Sequence, residues 1–424
     1  MLTARLLPHA ARLLGVIVDG PPPADRQMDR YFREHHALGP RERGQLAEAV
    51  YGALRHLALL RHVAGPEGTP AAWLAVSLLA DGISARAVEQ LGYGPPAGEP
   101  ALTARELAAR LRGLDPAGLP PEVRSHLPGW LLDRLTELLG TEEALALASA
   151  LDRAAPLDLR VNTLKARREE AQAALAAEGH ALAPTPYSPL GLRRADRAPL
   201  FATASFRAGL YEVQDEGSQL LGLLVEPRRR ETVVDFCAGA GGKTLQLGAQ
   251  MANTGTIHAF DVSSHRLERM RPRLRRAGLD NVQPALIADE HDAKVRRLRG
   301  KADRVLVDAP CSGTGTLRRN PDLKWRPLDL EALGAGQRAI LEAAAELVRP
   351  GGRLVYGTCS LLREENEARV EAFLVAHPQF RTVPAAGALA RRQIDLPLDG
   401  DYLRLYPHRH GTDAFFGAVL ERSR

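Results

Sequence analysis

The stretch Arg304–Arg326 reads RVLVDAPCSGTGTLRRNPDLKWR. Val305, Leu306 and Val307 form an apolar run with no alternation, as expected of a strand covered on both faces. The run ends on Asp308, Ala309, Pro310 and Cys311. A glycine-containing loop, Ser312–Gly315, follows. Then comes a basic segment with one aromatic: Arg318, Arg319, Lys324, Trp325 and Arg326. In open α/β sheets, ligands lie beyond the carboxyl ends of the strands. The stretch therefore gathers a carboxylate, a thiol, a flexible loop and a cationic arm at one place.

Working outward, four more apolar runs share this spacing: Thr232–Cys237, Thr256–Val262, Val282–Ala288 and Arg353–Thr358. Helical patterns at Thr244–Ala252, Ser264–Ala277, Asp329–Val348 and Arg363–His377 alternate with them. Strands alternating with helices in this way predict a doubly wound parallel sheet of the Rossmann-like α/β class. Phe415–Leu420 is expected as a last strand.

Three domains are expected. Residues 1–140 read as all-helical, with apolar i, i+3, i+4 spacing at Ala10–Val18, Arg43–Val63, Ala72–Leu79, Ala85–Leu91, Thr103–Leu111 and Leu131–Leu139. Gly and Pro punctuate them at Gly20–Pro23, Gly65–Pro70 and Gly94–Pro100. Residues 141–225 read as a small α+β subdomain. In it PLDLRVNTLK (Pro156–Lys165) forms a half-exposed strand offering Arg160, Asn162 and Lys165 to RNA, followed by a helix over Arg168–Glu178 and turns through Arg197. Residues 226–424 carry the parallel sheet.

The chain has 424 residues, 45% hydrophobic and 25% charged, ordinary values for a soluble globular protein. No apolar run reaches the roughly 18 residues of a membrane span. Leu2–Val18 could be misread as a targeting peptide, but Arg5, His9 and Arg12 interrupt it, so a first amphipathic helix is expected. Only three cysteines occur, Cys237, Cys311 and Cys359, without CxxC spacing. That argues against a disulfide framework or a zinc site and for a reducing, cytoplasmic setting. The net charge of +5 is unevenly placed. Residues 1–140 are neutral, so the remainder carries 41 basic against 36 acidic residues. A polyanion partner should therefore meet the C-terminal two-thirds. A monomer is the default expectation.

Asp235–Thr244, DFCAGAGGKT, is a glycine-rich loop between a strand and a helix. A P-loop needs glycine where Cys237 stands, and a G-x-G-x-x-G fingerprint needs glycine where Thr244 stands. An S-adenosylmethionine loop needs bare backbone and no strict third glycine. HAFDV ends a strand on Asp261, about 20 residues past the glycines, where an acid can meet both ribose hydroxyls. IAD ends the next on Asp289, placed for an adenine edge. A helix N-cap explains Asp261 equally well. The three features in order favour a nucleoside cofactor.

Cys311 and Cys359 end neighbouring strands. Cys237 reads as a small core residue. Two thiols beside a methyl donor suggest methylation at carbon 5 of a pyrimidine. A thiolate adding to carbon 6 makes carbon 5 enamine-like, and that thiolate needs local positive charge or a helix N-terminus to lower its pKa. Asp308 is the acid expected to share a proton at N3, and an acid suits the N4 donor of cytosine. Arg318, Lys324, Trp325 and Arg326 are expected to hold the RNA by phosphate contacts and stacking.

DFCAGAGGKT, DAPCSGTG, KWR, YGTCSLLREENE (Tyr356–Glu367), YEVQDEGSQL (Tyr211–Leu220) and HGTDAFFGAVL (His410–Leu420) together resemble the RNA cytosine-C5 methyltransferase family. The resemblance runs from about Pro128 onward. GPRERGQLAEAVYGALR (Gly39–Arg55) resembles the helical domain of the antitermination factor NusB, as in the small-subunit ribosomal RNA branch. The resemblance implies Cys359 as nucleophile and Cys311 as the residue assisting release. Without it, Cys311 would remain a rival nucleophile, as in DNA enzymes. It also implies S-adenosylmethionine contacts from Cys237, Ala238, Gly239, Ala240, Gly241, Gly242, Lys243, Asp261, Asp289 and Asp308. Where the family loop has alanine-alanine-proline, this chain has Ala238-Gly239-Ala240, which predicts a more flexible loop.

Only five lysines occur against 51 arginines, and Lys165, Lys243 and Lys324 fall inside motifs, where a compact ammonium is expected to be needed. The expected activity is thus transfer of a methyl group from S-adenosylmethionine to a cytosine of small-subunit ribosomal RNA. Alternatives are a transfer RNA or DNA cytosine methyltransferase, or an RNA-binding assembly factor with incidental methylation.

Overall fold

The computed structural model describes residues 2–20, 23–94, 102–196 and 198–424. Of the breaks expected above, residues 21, 22 and 95–100 lie outside the described residues, as does Arg197. The chain forms two compact units, Met1–Ala154 with Thr316–Leu328, and Ala155–Gly315 with Asp329–Arg424. No helix of the described residues is long and apolar enough to cross a membrane.

The first unit is helical. Leu7–Asp19 buries Leu7, Ala10, Leu13, Leu14 and Ile17, the stripe its spacing predicts. The single helix expected over Arg43–Val63 is two, Pro40–Arg55 and Leu57–Ala64, broken at His56. Ala24–Glu34 went unpredicted because it buries only Ala24, Met28 and Tyr31. Thr141–Leu151 adds a last helix, so this unit extends past residue 140.

It also takes back Thr316–Leu328, and this corrects the reading of that segment as a solvated RNA arm. Trp325 packs on the helical core and its Nε1–H donates to Leu54 O at 2.7 Å. The Lys324 ammonium is wholly inside, donating to Arg55 O at 3.1 Å and lying 3.8 Å from Asp152 Oδ1. Asp152 also pairs with His56 Nε2 at 3.1 Å. Burial brings the Lys324 pKa down to about 8. Arg318 is buried, and its carbonyl accepts from Arg55 Nη2 at 3.0 Å. Arg326 pairs with Asp322. An aromatic ring and methylene stems complete an apolar core here, and the half-buried Asp152 and buried Asp322 carboxylates meet the Lys324 and Arg326 charges.

The second unit holds two sheets. Strands β1 (Leu157–Val161), β2 (Ala183–Pro184), β3 (Gly191–Arg194) and β4 (Tyr211–Val213) form an antiparallel sheet in the order β2-β3-β1-β4. Helix Arg168–Ala177 buries Ala171 and Leu175 in the same small core as Leu159, Val161 and Leu192. This α+β element has its own small core and lies in one compact unit with the large sheet.

The large sheet contains β5 (Thr232–Asp235), β6 (Thr256–Asp261), β7 (Val282–Leu286), β8 (Ala302–Asp308), β9 (Val348–Thr358), β10 (Phe380–Val383), β11 (Leu403–Leu405) and β12 (Phe415–Arg422). Its order is β10-β12-β9-β8-β5-β6-β7, with β11 paired to β12. Pairings from β9 through β7 are parallel, and β12 joins antiparallel to β9 and β10. Chain order reverses between β5 and β8, so a ligand crevice should open past their carboxyl ends. Val233, Val305, Leu306 and Val355 are fully buried there, as unalternating strands require.

Candidate active site

Beyond β5 and β8 opens a cavity of about 450 Å³, lined by Asp235, the loop Cys237–Ala240, Gly242, Lys243, Asp308, Pro310 and Cys311. The loop turns on two left-handed glycines, Gly239 (φ 56°) and Gly241 (φ 88°). A Cβ on Gly241 would also stand 2.6 Å from Met270 Cγ. Asp261 holds the loop from β6: its Oδ2 accepts from Gly239 N–H and its Oδ1 from Ser263 N–H, both at 2.8 Å. Arg273 Nη1 donates to Ala240 O at 2.6 Å. These two ties offset the proline that the loop lacks.

Lys243 Nζ donates to Asp308 Oδ2 at 2.6 Å and lies 5.3 Å from the Phe415 ring centroid. The guanidinium that Arg would supply is planar and wider. Lys243→Arg is expected to weaken methyl-donor binding by roughly tenfold or more, the worth of one charge-assisted hydrogen bond. Exposed Lys294, whose ammonium donates to Leu286 O, should tolerate the same change. Equal affinities for both variants by calorimetry would sink this idea.

Asp235, fully buried at the end of β5, accepts from Thr244 Oγ1 at 2.7 Å. Its Oδ1 is buried with no hydrogen-bond partner among the described residues. Burial pushes its pKa up to about 7. A raised carboxyl pKa favours the folded state below the unfolded value, and that advantage is lost as pH rises through about 7. Asp235→Asn keeps an acceptor for Thr244 without the charge. It should therefore gain stability over wild type between pH 5 and pH 8, by roughly 2–3 kcal/mol. Melting curves at both pH values check this, and a constant difference would refute it.

The two thiols meet at the rim. Cys311 Sγ and Cys359 Sγ are 3.4 Å apart, and all three cysteines are free. The hydrogen bond to Cys359 and then burial raise the Cys311 pKa well above the usual thiol range. Either sulfur can be the donor of this contact. Cys237 lies on the cavity wall, its pKa raised by burial and by Asp235.

The sequence reading assigned no role to Glu365, buried in YGTCSLLREENE. Its carboxylate accepts from Ser312 N–H at 2.9 Å, Ser312 Oγ–H at 2.5 Å, Gln337 Nε2 at 2.9 Å and Ser360 Oγ–H. Ser312 follows Cys311 and Ser360 follows Cys359, so one carboxylate ties both cysteine loops. Gly315 N–H donates to Cys359 O at 2.9 Å as a second tie. Glu365→Ala leaves several buried donors unmet and should cost on the order of 3 kcal/mol. Methyl transfer should fall with it, because the sulfur separation is no longer held. An unchanged melting temperature would contradict this role.

The other expected site residues fall differently. Asp289 is exposed at the end of β7, outside the cavity lining, with its carboxylate accepting from His291 N–H at 2.8 Å. Arg160 is buried, donating to Gln214 Oε1 at 2.5 Å and to Gly242 O at 3.2 Å, and burial lowers its pKa to about 10. Asn162 Nδ2 donates to Gly209 O and Ala277 O. Lys165 Nζ donates to Ala208 O and Arg276 O, both at 2.7 Å. Arg160 and Asn162 are buried and tie the small sheet to Gly242 and Ala277, a correction to their reading as an RNA-facing surface, whereas Lys165 is exposed. Gln214, Ser218, Arg266 and Leu333 also line the cavity and were missed. Gln214 and Ser218 sit inside YEVQDEGSQL, which was the available signal.

The ribosomal RNA small subunit methyltransferase B of Vibrio cholerae is 32% identical over 408 residues, which cover 91% of each chain. The chain belongs to the RsmB/F family of small-subunit ribosomal RNA methyltransferases. The family described as 16S rRNA methyltransferase RsmB/F matches residues 222–421, and its ferredoxin-like domain matches residues 127–199. A probable ribosomal RNA small subunit methyltransferase B of Synechocystis is 35% identical over 70% of this chain and 67% of its own. Among solved structures, NSun6 from Pyrococcus horikoshii with SFG, an S-adenosylmethionine analogue, is similar at 26% identity and a TM-score of 0.61. It covers 70% of this chain and 98% of that one. A Pyrococcus horikoshii methyltransferase homologue matches at 31% identity and a TM-score of 0.61, over 73% and 100% of the two chains.

The cofactor of the RsmB/F family is S-adenosylmethionine, and the cavity suits it. Gly239 and Gly242 line the cavity, and a Cβ on either would meet no protein atom within 4 Å, so bare backbone faces the space. Asp261 is buried outside the cavity lining and acts on the loop through its bond to Gly239 N–H.

Proposed function

We propose that this protein methylates carbon 5 of a cytosine in small-subunit ribosomal RNA through a cysteine adduct at carbon 6. The observation carrying this reading is the pair of thiols 3.4 Å apart, one of them lining the same cavity as the Asp308 carboxylate. Carbon 5 alone is a poor nucleophile. Cys359, entering as thiolate, bonds to carbon 6 and frees the C5=C6 electron pair for carbon 5. Asp308, bonded to the Lys243 ammonium, presents carboxylate oxygen to the N4 amino group and to a proton on N3. S-adenosylmethionine, when bound, supplies an electrophilic methyl group. After transfer a base takes the C5 proton, the C5=C6 bond re-forms, and Cys359 leaves with Cys311 assisting.

The glycine loop, Asp261 and Lys243 are the residues that would hold the cofactor, and Asp289 is proposed for its adenine edge. A stacked base cannot reach such a site, so the target cytosine must be unpaired or flipped out. RNA with tritium at carbon 5 of its cytosines tests the reading. One tritium should reach water per methyl group transferred. Methyl incorporation without tritium release would place the reaction at another atom.

A further inference from the structure

The charge excess of residues 141–424 has a location. At the sheet edge opposite the cavity, two adjoining hollows of about 510 and 840 Å³ share Arg228, Arg304, Arg353, Arg381 and Glu421. Together they are lined by eight arginines and three glutamates. The edge is fixed by topology. Arg304 and Arg353 lie near the entry of β8 and in the first half of β9, and Glu421 pairs with Arg353 across β12. Asp308 and Cys359 stand at the other ends of the same strands.

The three glutamates pair with four of the eight arginines, among them exposed Arg391 with Glu226 at 2.8 Å, and Arg349 pairs with Asp303 at 2.6 Å. Arg353 pairs with Glu226 and Glu421, and Arg304 with Glu231. Outside them, Arg381 is 74% exposed although it reaches Glu421 at 3.2 Å. Arg228 and Arg424 are exposed, and their guanidiniums make no hydrogen bond or ion pair with any described residue. Half-buried carboxylates thus hold a base of arginines beside an outer row of Arg228, Arg381 and Arg424. Fork-shaped guanidiniums in an open groove match phosphate oxygens better than a small apolar ligand.

We propose that this groove binds the phosphate backbone of the substrate RNA at a place remote from the target base. The inference rests on the methyltransferase reading above for the identity of the RNA. Arg304 and Asp308 are four residues apart on β8, and Arg353 lies six residues before Cys359, so cavity and groove are separated by roughly 13–20 Å of strand at about 3.3 Å per residue. One RNA helix is about that wide, so a folded RNA can reach both edges where a short single strand cannot.

The test uses the full chain with small-subunit RNA transcript, comparing wild type, Arg228→Gln/Arg381→Gln/Arg424→Gln, and Lys294→Gln/Arg296→Gln/Arg297→Gln as a charge-matched control. RNA affinity is measured across a salt series beside methyl transfer. The groove variant should bind roughly ten- to a hundredfold more weakly, with the salt slope reduced by about 2, as for two or three lost phosphate contacts. It should show a raised KM for RNA, an unchanged kcat and unchanged S-adenosylhomocysteine affinity. Equal losses in the control would mean that net charge alone acts, and the groove proposal falls. Wild-type transfer with no loss in the groove variant overturns the groove and leaves the activity standing. Groove-dependent binding without any methyl transfer overturns the activity and leaves the groove standing. If wild type binds no RNA, both fall. Loss confined to binding of an acidic protein would also overturn the RNA assignment.

Discussion

Cys311→Ala, incubated with transcript and S-adenosylmethionine, should accumulate a protein–RNA adduct that survives a denaturing gel. Cys359→Ala should form none and transfer methyl groups roughly 10³-fold more slowly or worse, as expected when a covalent nucleophile is removed. The asymmetry follows from the proposed roles. Cys359 is the proposed nucleophile, and Cys311, whose thiol pKa is raised by its hydrogen bond to Cys359 and by burial, is the proposed release residue. Removing Cys311 takes away the group 3.4 Å from the bond that must break, so release stalls. The reverse pattern, with the adduct on Cys311, would exchange the roles and place the enzyme with the DNA cytosine methyltransferases in mechanism. A double variant should neither trap nor turn over.

Asp308→Asn is expected to lower kcat by about 10²–10⁴-fold, the usual worth of a positioned acid or base. The substituted amide matches the carboxylate in shape but turns one acceptor into a donor. That donor would face the Lys243 ammonium, now 2.6 Å from Oδ2, or the N4 amino group of cytosine. Either is a donor opposed to a donor. The loss should appear in kcat more than in RNA affinity, because the N3/N4 interaction strengthens only as carbon 6 is attacked. Some loss of cofactor affinity is expected through Lys243. A variant retaining kcat within threefold of wild type would remove Asp308 from the chemistry and leave it as a partner for Lys243 alone.

The parts of the fold legible in the sequence are those whose side chains have one physical reading. β5, β6, β8 and β9 are apolar on both faces, and nothing else in a soluble chain produces such runs bounded by glycine and acid. Helix Ser264–Ala277 is bounded as its pattern predicts, by the Ser263 cap and the left-handed Gly278. β10 and β11, FRTV and LRL, are too short and mixed to separate from loop. At the site, the glycine loop and the thiols were legible because their chemistry is narrow. Arg160, Lys324 and Glu365 were not, since a charged side chain reads as solvated until its partners are known. Each lies inside because partners far along the chain satisfy it: Gln214, Asp152, and the Ser312, Ser360 and Gln337 donors.

The return of Thr316–Leu328 to the helical unit also bears on how the chain is made. Ribosomal synthesis delivers residues 1–154 first, yet the indole of Trp325 that packs on their core emerges about 170 residues later. At 5–20 residues per second the wait is roughly ten to thirty seconds. During it the helices must persist with the surface meant for Trp325 and Lys324 open. The second unit is interrupted in turn, because Asp329–Arg424, with β9 and β12, follows that same segment. Neither unit can therefore be completed strictly before the other's chain exists. Their maturation on the ribosome is interleaved, and a fragment cut at residue 154 would lack part of its own interior.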